Sequence, residues 1–336
     1  MKNKHYQWVD TSKTIGLFLV ILGHGRLMSD DCHQLIYSFH MPLFFFLSGF
    51  LYRYRSLKET LKHDFYRLLI PYFLINGICL ILCCPILAIR DGLSVEAIVT
   101  RLIGIIVVAC NTGEFHPVSS PTWFIIALLI ARLLLSLRYS PLYLGIITLF
   151  SCLAFWGLHQ LEIDLWIPID SAIMAMPFIT SGIIVKKFNR YKIGKVHIFI
   201  TLVLLSFILM YLNIYNGRVD MNSSCFGNNI FIFYINGLIG SFIIIAISII
   251  FPIRKLDYFC TKISKGGLLV IGFNLMFVMI FQNICEMLIN GNTIPAYMGI
   301  LCSIIIIIIF YNLTRFCENH FPIILGIKNT NNLNKN

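Results

Sequence analysis

Lys13 and His24 enclose the apolar run TIGLFLVILG, and any chemistry in this chain starts with them. Eleven residues at roughly 100° each end about 20° past three full turns, so one helix face presents both side chains. At about 1.5 Å per residue they stand about 16 Å apart along the axis, half a hydrocarbon core. His24 and His40 fall in the outer halves of two consecutive antiparallel spans, which sets two imidazoles at similar depth. Imidazole, with an unperturbed pKa of about 6.5, suits proton transfer near neutral pH. Ionisable groups inside spans are functional residues by default. Each also admits a plain structural role: Lys13 extending to the interface, His24 satisfying a neighbour's hydrogen bond.

Other unusual residues gather around this pair. Gly16, Gly23 and Gly25 let a helix or an extended ligand approach closely, and Pro42 disturbs backbone hydrogen bonding just after His40. Ser48 and Gly49 lie deeper on the same helix, as a packing notch or as part of a ligand path. Lys13, Arg53, Arg55, Lys58, Lys62 and Arg67 collect at the inner ends of the first three spans. Such a cluster suits a phosphorylated nucleotide, with ordinary topology charge as the plain alternative. At the outer entrance of the fourth span, Glu114, His116 and Trp123 are candidate acceptor-binding residues; Trp123 also fits an interfacial anchor.

The helices that must position these groups are membrane helices. Of 336 residues, 58% are hydrophobic and 12% charged, with mean hydropathy +0.83. Soluble domains carry about 25% charged residues. Ten apolar runs read as spans: 14–28, 34–51, 68–89, 121–137, 141–159, 168–185, 196–215, 230–252, 266–289 and 296–314. With a cytoplasmic N-terminus, 22 of the 26 Lys and Arg residues fall inside, leaving Arg26, Arg90, Arg101 and Arg218 outside. The positive-inside rule thus accounts for the net charge of +11, without nucleic acid, and puts both termini in the cytoplasm. The expected fold is an all-α polytopic bundle of about ten helices over 1–320, followed by a disordered cytoplasmic tail, 321–336.

Several features are read as structural. The eleven cysteines show no metal-binding spacing and read as small core hydrophobes. The first apolar run lacks a cleavage signature and is expected to remain as a span. Residues 93–109 are apolar but interrupted by Glu96 and Arg101, which predicts an interfacial or re-entrant helix. Asn-x-Ser/Thr at Asn222 and Asn312 carries no weight, and no internal repeat is evident.

The stretches WVDTSKTIGLFLVILGHG, IYSFHMPLFFFLSGFLY, FYRLLIPYF and PTWFIIALLI resemble, in order, the signature segments of the membrane acyltransferase-3 family. This family includes bacterial O-acetylases of surface polysaccharides and fucose O-acetylase-like proteins. The resemblance covers residues 8–130 and implies ten membrane helices and acyl-CoA as donor. It maps the family's basic residue and histidine onto Lys13 and His24, with lysine where many members carry arginine. Its SGF segment falls on Phe45, Phe46, Ser48, Gly49 and Phe50, its arginine before proline on Arg67 and Pro71, and its Trp-Phe on Trp123 and Phe124. A doubled arginine common in the family is absent. His40 fits the FHMP subgroup, which lacks an appended extracytoplasmic domain.

The expected function is O-acetyl transfer in a bacterial inner membrane, from cytoplasmic acetyl-CoA to a sugar hydroxyl of a surface glycan or lipid-linked acceptor, with no metal. His24 is the expected general base, with His40, Ser48 or Trp123 as oxyanion donors; an acyl-histidine route is the variant. Lys13, Arg67, Ser48 and Gly49 are expected to hold the donor. A glycan exporter, an acetylase of a small cytoplasmic acceptor and a noncatalytic sensor are the alternatives; homo-oligomerisation is left open. An exporter accounts for basic loops and buried polar groups, but not for the ordered motifs.

Overall fold

The computed structural model describes residues 5–24, 28–91, 95–107, 119–163, 165, 167–188, 194–289 and 294–327. Its first helix, α1 (Gln7–Gly23), begins well before the apolar run expected at 14–28, so that boundary is corrected. Hydropathy rejects the polar stretch Gln7–Lys13, yet partners elsewhere in the chain satisfy it. Gln7 Nε2 donates to Asp257 O at 3.1 Å, and Asp10 accepts from Thr261 Oγ1 at 3.0 Å and Ser264 Oγ at 2.7 Å. Ser12 Oγ donates to Ser248 Oγ at 3.0 Å. Buried polar groups are tolerated when they are paired in this way.

The expected second span, 34–51, is broken into α2 (Asp30–Tyr37) and α3 (His40–Phe50). Pro42 has no N–H to donate, so it sits without cost only within the first turn of a helix, and α3 starts two residues before it. Then follow α4 (Leu57–Asp64), a π-helical turn at Phe65–Leu69, α5 (Ile70–Asp91) and α6 (Val95–Ile106). At 12 residues α6 is about 18 Å long, well short of a hydrocarbon core. A 3₁₀ turn at Ser120–Thr122 leads into α7 (Trp123–Leu137). The chain continues through α8 (Pro141–Gln160), α9 (Ile169–Phe188), α10 (Lys195–Asn216) and α11 (Ile230–Ile250). The amphipathic α12 (Asp257–Lys265), α13 (Gly267–Leu288) and α14 (Ala296–His320) complete it.

Among the described residues, eight helical runs are long and apolar enough to cross a membrane, which makes this an all-helical, multi-pass membrane protein. Of the ten expected spans, the first two fall short of that length: α1 and the broken α2–α3 pair. The core lies around α3 and α9: every residue of α3 except Ser48 is buried, whereas α10 is mostly exposed at the bundle's surface.

Helices α3 and α9 meet backbone to backbone. A Cβ on Gly49 would lie 1.9 Å from Ile179 O, and one on Gly182 would lie 2.1 Å from Phe46 O. Arg132, near the inner end of the expected span 121–137, belongs to α7, and its Nε stands 3.0 Å from the fully buried Asp64 of α4. The tail expected to be disordered from 321 is ordered through 327. A 3₁₀ turn, Pro322–Leu325, buries Leu325, and Gly326 (φ 67°) packs on the Arg67 backbone. Gly49→Val should therefore lower the melting temperature in detergent sharply, since overpacking costs about 1–3 kcal/mol or more. Gly77→Ala, at a helical site with nothing within 4 Å, should raise it by the equivalent of about 0.5–1 kcal/mol.

Candidate active site

The last four carbonyls of a helix have no partner within it. At the end of α1, Val20 O is met by His24 Nδ1 at 2.6 Å; at the end of α2, Ile36 O is met by His40 Nδ1 at 2.9 Å. Each histidine sits just past a helix end and reaches back four residues. A carbonyl only accepts, so Nδ1 carries the hydrogen in both rings, and the neutral imidazole keeps its lone pair on Nε2. His24 is thus the C-cap of α1 in extended backbone, φ −89° and ψ 144°, not a residue of the span interior. Val20 and His24 line the same cavity, which Lys13 does not reach.

That cavity measures about 300 Å³. Its walls include His24, His40 and Tyr37, with Trp123 and Ser120 from the start of α7 and Asp220 and Asn222 from the α10–α11 loop. Tyr37 forms the centre of a ring cluster: its centroid lies 4.8 Å from His40, 6.2 Å from His24 and 4.0 Å from the stacked His33. Burial, ahead of the nearby Arg218 charge, holds the His33 imidazole below its ordinary pKa. Val20, Met41, Ile271 and Leu275 supply apolar wall.

Trp123 is aimed by a brace that starts on α5. Asn76, fully buried, donates through Nδ2 to Tyr72 O at 3.0 Å and Thr122 Oγ1 at 3.1 Å, and accepts from Ser119 N at 3.2 Å. Ser119 Oγ donates to Gly272 O on α13 at 2.6 Å. These bonds hold the SSPTW turn against two helices. Behind it, Phe45 and Phe124 pack with ring centroids 4.8 Å apart, joining the FFF run of α3 to α7.

The loop between α10 and α11 is equally tied down. Asp220 and Cys225 exchange backbone hydrogen bonds at 2.8 and 2.9 Å. Ser171 Oγ donates to Met221 O at 2.8 Å, and Ser224 Oγ to Asp170 Oδ2 at 2.6 Å, which fastens the loop to the start of α9. Position 227 takes glycine because its φ is 82° and a Cβ there would lie 2.3 Å from Asn216 O. Asp220 and Asn222 are held over the cavity as a result.

Near the Lys13 end of α1, a second cavity of about 720 Å³ is lined by Arg55, Lys62 and Arg67, with Glu59, His63, Tyr54, Tyr66, Gly326 and Ile327. The charges of Asp10 and Arg67 both reach Lys13. The buried Asp64, between His63 Nδ1 at 2.6 Å and Arg132, anchors α4 beside this cavity. Ser48 and Gly49 line neither cavity, and Gly49 lies on the α3–α9 seam. Gly16 faces Phe44, and Gly23 faces Ile36 and Tyr37, so both serve helix packing. Glu114 and His116 lie outside the described residues. Among the described residues, no group of three His, Cys, Asp or Glu side chains is placed to hold a metal.

Sequence reading missed Tyr37, Ser120, Asp220 and Asn222. Tyr37 lies within a quoted motif, and Ser120 immediately precedes another. Asp220 and Asn222 sit in a polar loop some 200 residues from His24, with no local signal for that meeting.

Replacing Asn76 by Leu leaves Ser119 N and Thr122 without their buried partner, and orphaned buried polar groups cost about 1–3 kcal/mol each. The variant should lose thermal stability, and the fluorescence of Trp123 should shift, measured in a protein whose other three tryptophans are replaced by phenylalanine. Residues 6–313 match the acyltransferase-domain family, whereas no curated protein and no solved structure matches the chain significantly.

Proposed function

The chain belongs to the acyltransferase-3 family, and from that premise we propose that it transfers an acetyl group from acetyl-CoA to a sugar hydroxyl of a surface glycan, across a bacterial inner membrane. The observation that carries this reading is the pair of Nδ1-anchored imidazoles, His24 and His40, lining one cavity. In this reading the Lys13 end of α1 and both termini face the cytoplasm. Arg55, Lys62 and Arg67 bind the nucleotide phosphates, and Lys13 adds positive potential behind them. Val20, Met41 and Ile271 form the apolar wall along which the acyl arm reaches His24.

His24 Nε2 takes the proton of the acceptor hydroxyl as its oxygen attacks the thioester carbonyl. The Nδ1–H bond to Val20 O steadies the resulting imidazolium, which returns the proton from Nε2 to the departing thiolate. Negative charge developing on the carbonyl oxygen needs a donor. His40 is unsuited to that task, because its N–H is committed to Ile36 O and its Nε2 only accepts. Tyr37 O–H and Ser120 O–H take the role instead, and His40 Nε2 orients the acceptor hydroxyl.

Radiolabelled acetyl-CoA and extracted surface glycan, with the purified protein in nanodiscs, test this. Label should appear on the glycan only with active protein. His24→Ala should cut kcat by about 10²–10⁴-fold without loss of folded protein. Arg67→Ala should raise KM for acetyl-CoA with little change in kcat, because it removes ground-state binding. Wild-type turnover by His24→Ala would overturn the assignment, as would acceptor-independent protein labelling that never reaches glycan.

A further inference from the structure

The His24 cavity carries a charge and an orphan acceptor that acetyl transfer itself does not use. Asp220 accepts from Asn222 N at 3.0 Å through Oδ1 and from Ser223 Oγ at 2.9 Å through Oδ2. A carboxylate oxygen has two lone pairs, so each keeps one free. Asn222 Nδ2 donates to Ser120 Oγ at 3.4 Å, while Asn222 Oδ1 is buried with no partner among the described residues. An unpaired buried carbonyl oxygen is costly and wants a donor. Both side chains line the cavity beside Trp123, a flat apolar ring. Acceptors for hydroxyl hydrogens next to an aromatic ring make up a polyol-binding surface.

The sign of the charge narrows the ligand further. Asp220 reaches His24, His33 and Tyr37 electrostatically. Arg218 on the same loop is exposed and acts on His33 and Tyr37. Asp170 is already bonded to Ser224 and to the Ser171 N–H. At His24 the Asp220 charge outweighs the opposing His33, and a second carboxylate brought into the cavity is repelled.

We propose that Asp220 and Asn222 are the acceptor-selecting residues of this cavity: they take the hydroxyls of a neutral sugar and exclude sugars that carry a carboxylate. This rests on the acetyl-transfer reading above, yet recognition can be measured without turnover. Asp220 acts on the acceptor as a whole and not on the reacting atoms.

Saturation-transfer NMR on nanodisc-embedded protein would measure the binding of a neutral methyl hexopyranoside and of its C6-carboxylate counterpart, the methyl hexuronide. The wild type should bind the neutral glycoside at least tenfold more tightly. Asp220→Asn is nearly isosteric, and its side-chain oxygen can still accept from Asn222 N, so the loop keeps its shape. It should weaken the neutral glycoside by roughly tenfold, the worth of a charge-assisted hydrogen bond, and bring the hexuronide to parity. Asn222→Ala should weaken both glycosides by roughly fivefold, leaving their ratio unchanged.

An unchanged melting temperature in each variant excludes a folding defect. Equal wild-type affinity for the two glycosides, no binding of the neutral one at tens of millimolar, or an Asp220→Asn ratio equal to wild type would each overturn the proposal. A protein that discriminates as described but transfers no acetyl group would uphold the recognition and refute the reaction. Transfer with no discrimination would do the reverse.

Discussion

Two backbone carbonyls at helix ends organise the centre of this protein. Val20 O at the end of α1, and Ile36 O at the end of α2, which also accepts from Phe39 N at 3.2 Å, lie where the regular helical ladder stops. His24 and His40 reach back to them with Nδ1, and in doing so each ring is fixed in orientation and in tautomer. A structural need and a chemical asset are the same bond: the hydrogen tied to the carbonyl is what leaves Nε2 basic. The break between α2 and α3 is part of this, since a continuous helix would have used Ile36 O itself. Tyr37, the last residue of α2, is thereby set among three imidazoles.

Rigid packing carries that geometry to the rest of the fold. The α3–α9 seam, with Gly49 against the Ile179 backbone and Gly182 against the Phe46 backbone, fixes the helix that starts at His40. The motif glycine after Ser48 is thus explained by close approach of backbones, as small residues permit between membrane helices. Asn76 and Ser119 join α5, α7 and α13 around the SSPTW turn, and the hydrogen-bonded α10–α11 loop closes the other side. The SSPTW turn, the α10–α11 loop and α13, far apart in the chain, therefore meet on one small volume beside His24.

Polarity is distributed unevenly along α1. Its Lys13 end lies within reach of the Arg67 charge and near a wide basic cavity; its His24 end opens on a narrow cavity with a carboxylate. Ordered Gly326 packing on Arg67 makes the chain's last described turn part of the basic end. One helix thus spans two sites of opposite electrostatic character, about 16 Å apart.

Residue order alone specified the class of protein, the ends of the eight long apolar helices to within a few residues except at α4–α5 and at the end of α14, and the ordered motifs. These follow from sums over neighbours: hydropathy accumulates along a span, and helical spacing repeats every few residues. Where α1 begins was beyond such sums, because Asp10 is made tolerable by Thr261 and Ser264, some 250 residues away. The burial of Arg132 against Asp64, the ordering of 321–327, and the placing of Asp220 and Asn222 over the histidines have the same origin. A polar group's fate in a membrane is decided by the partner it meets, and only the folded chain determines which partner that is.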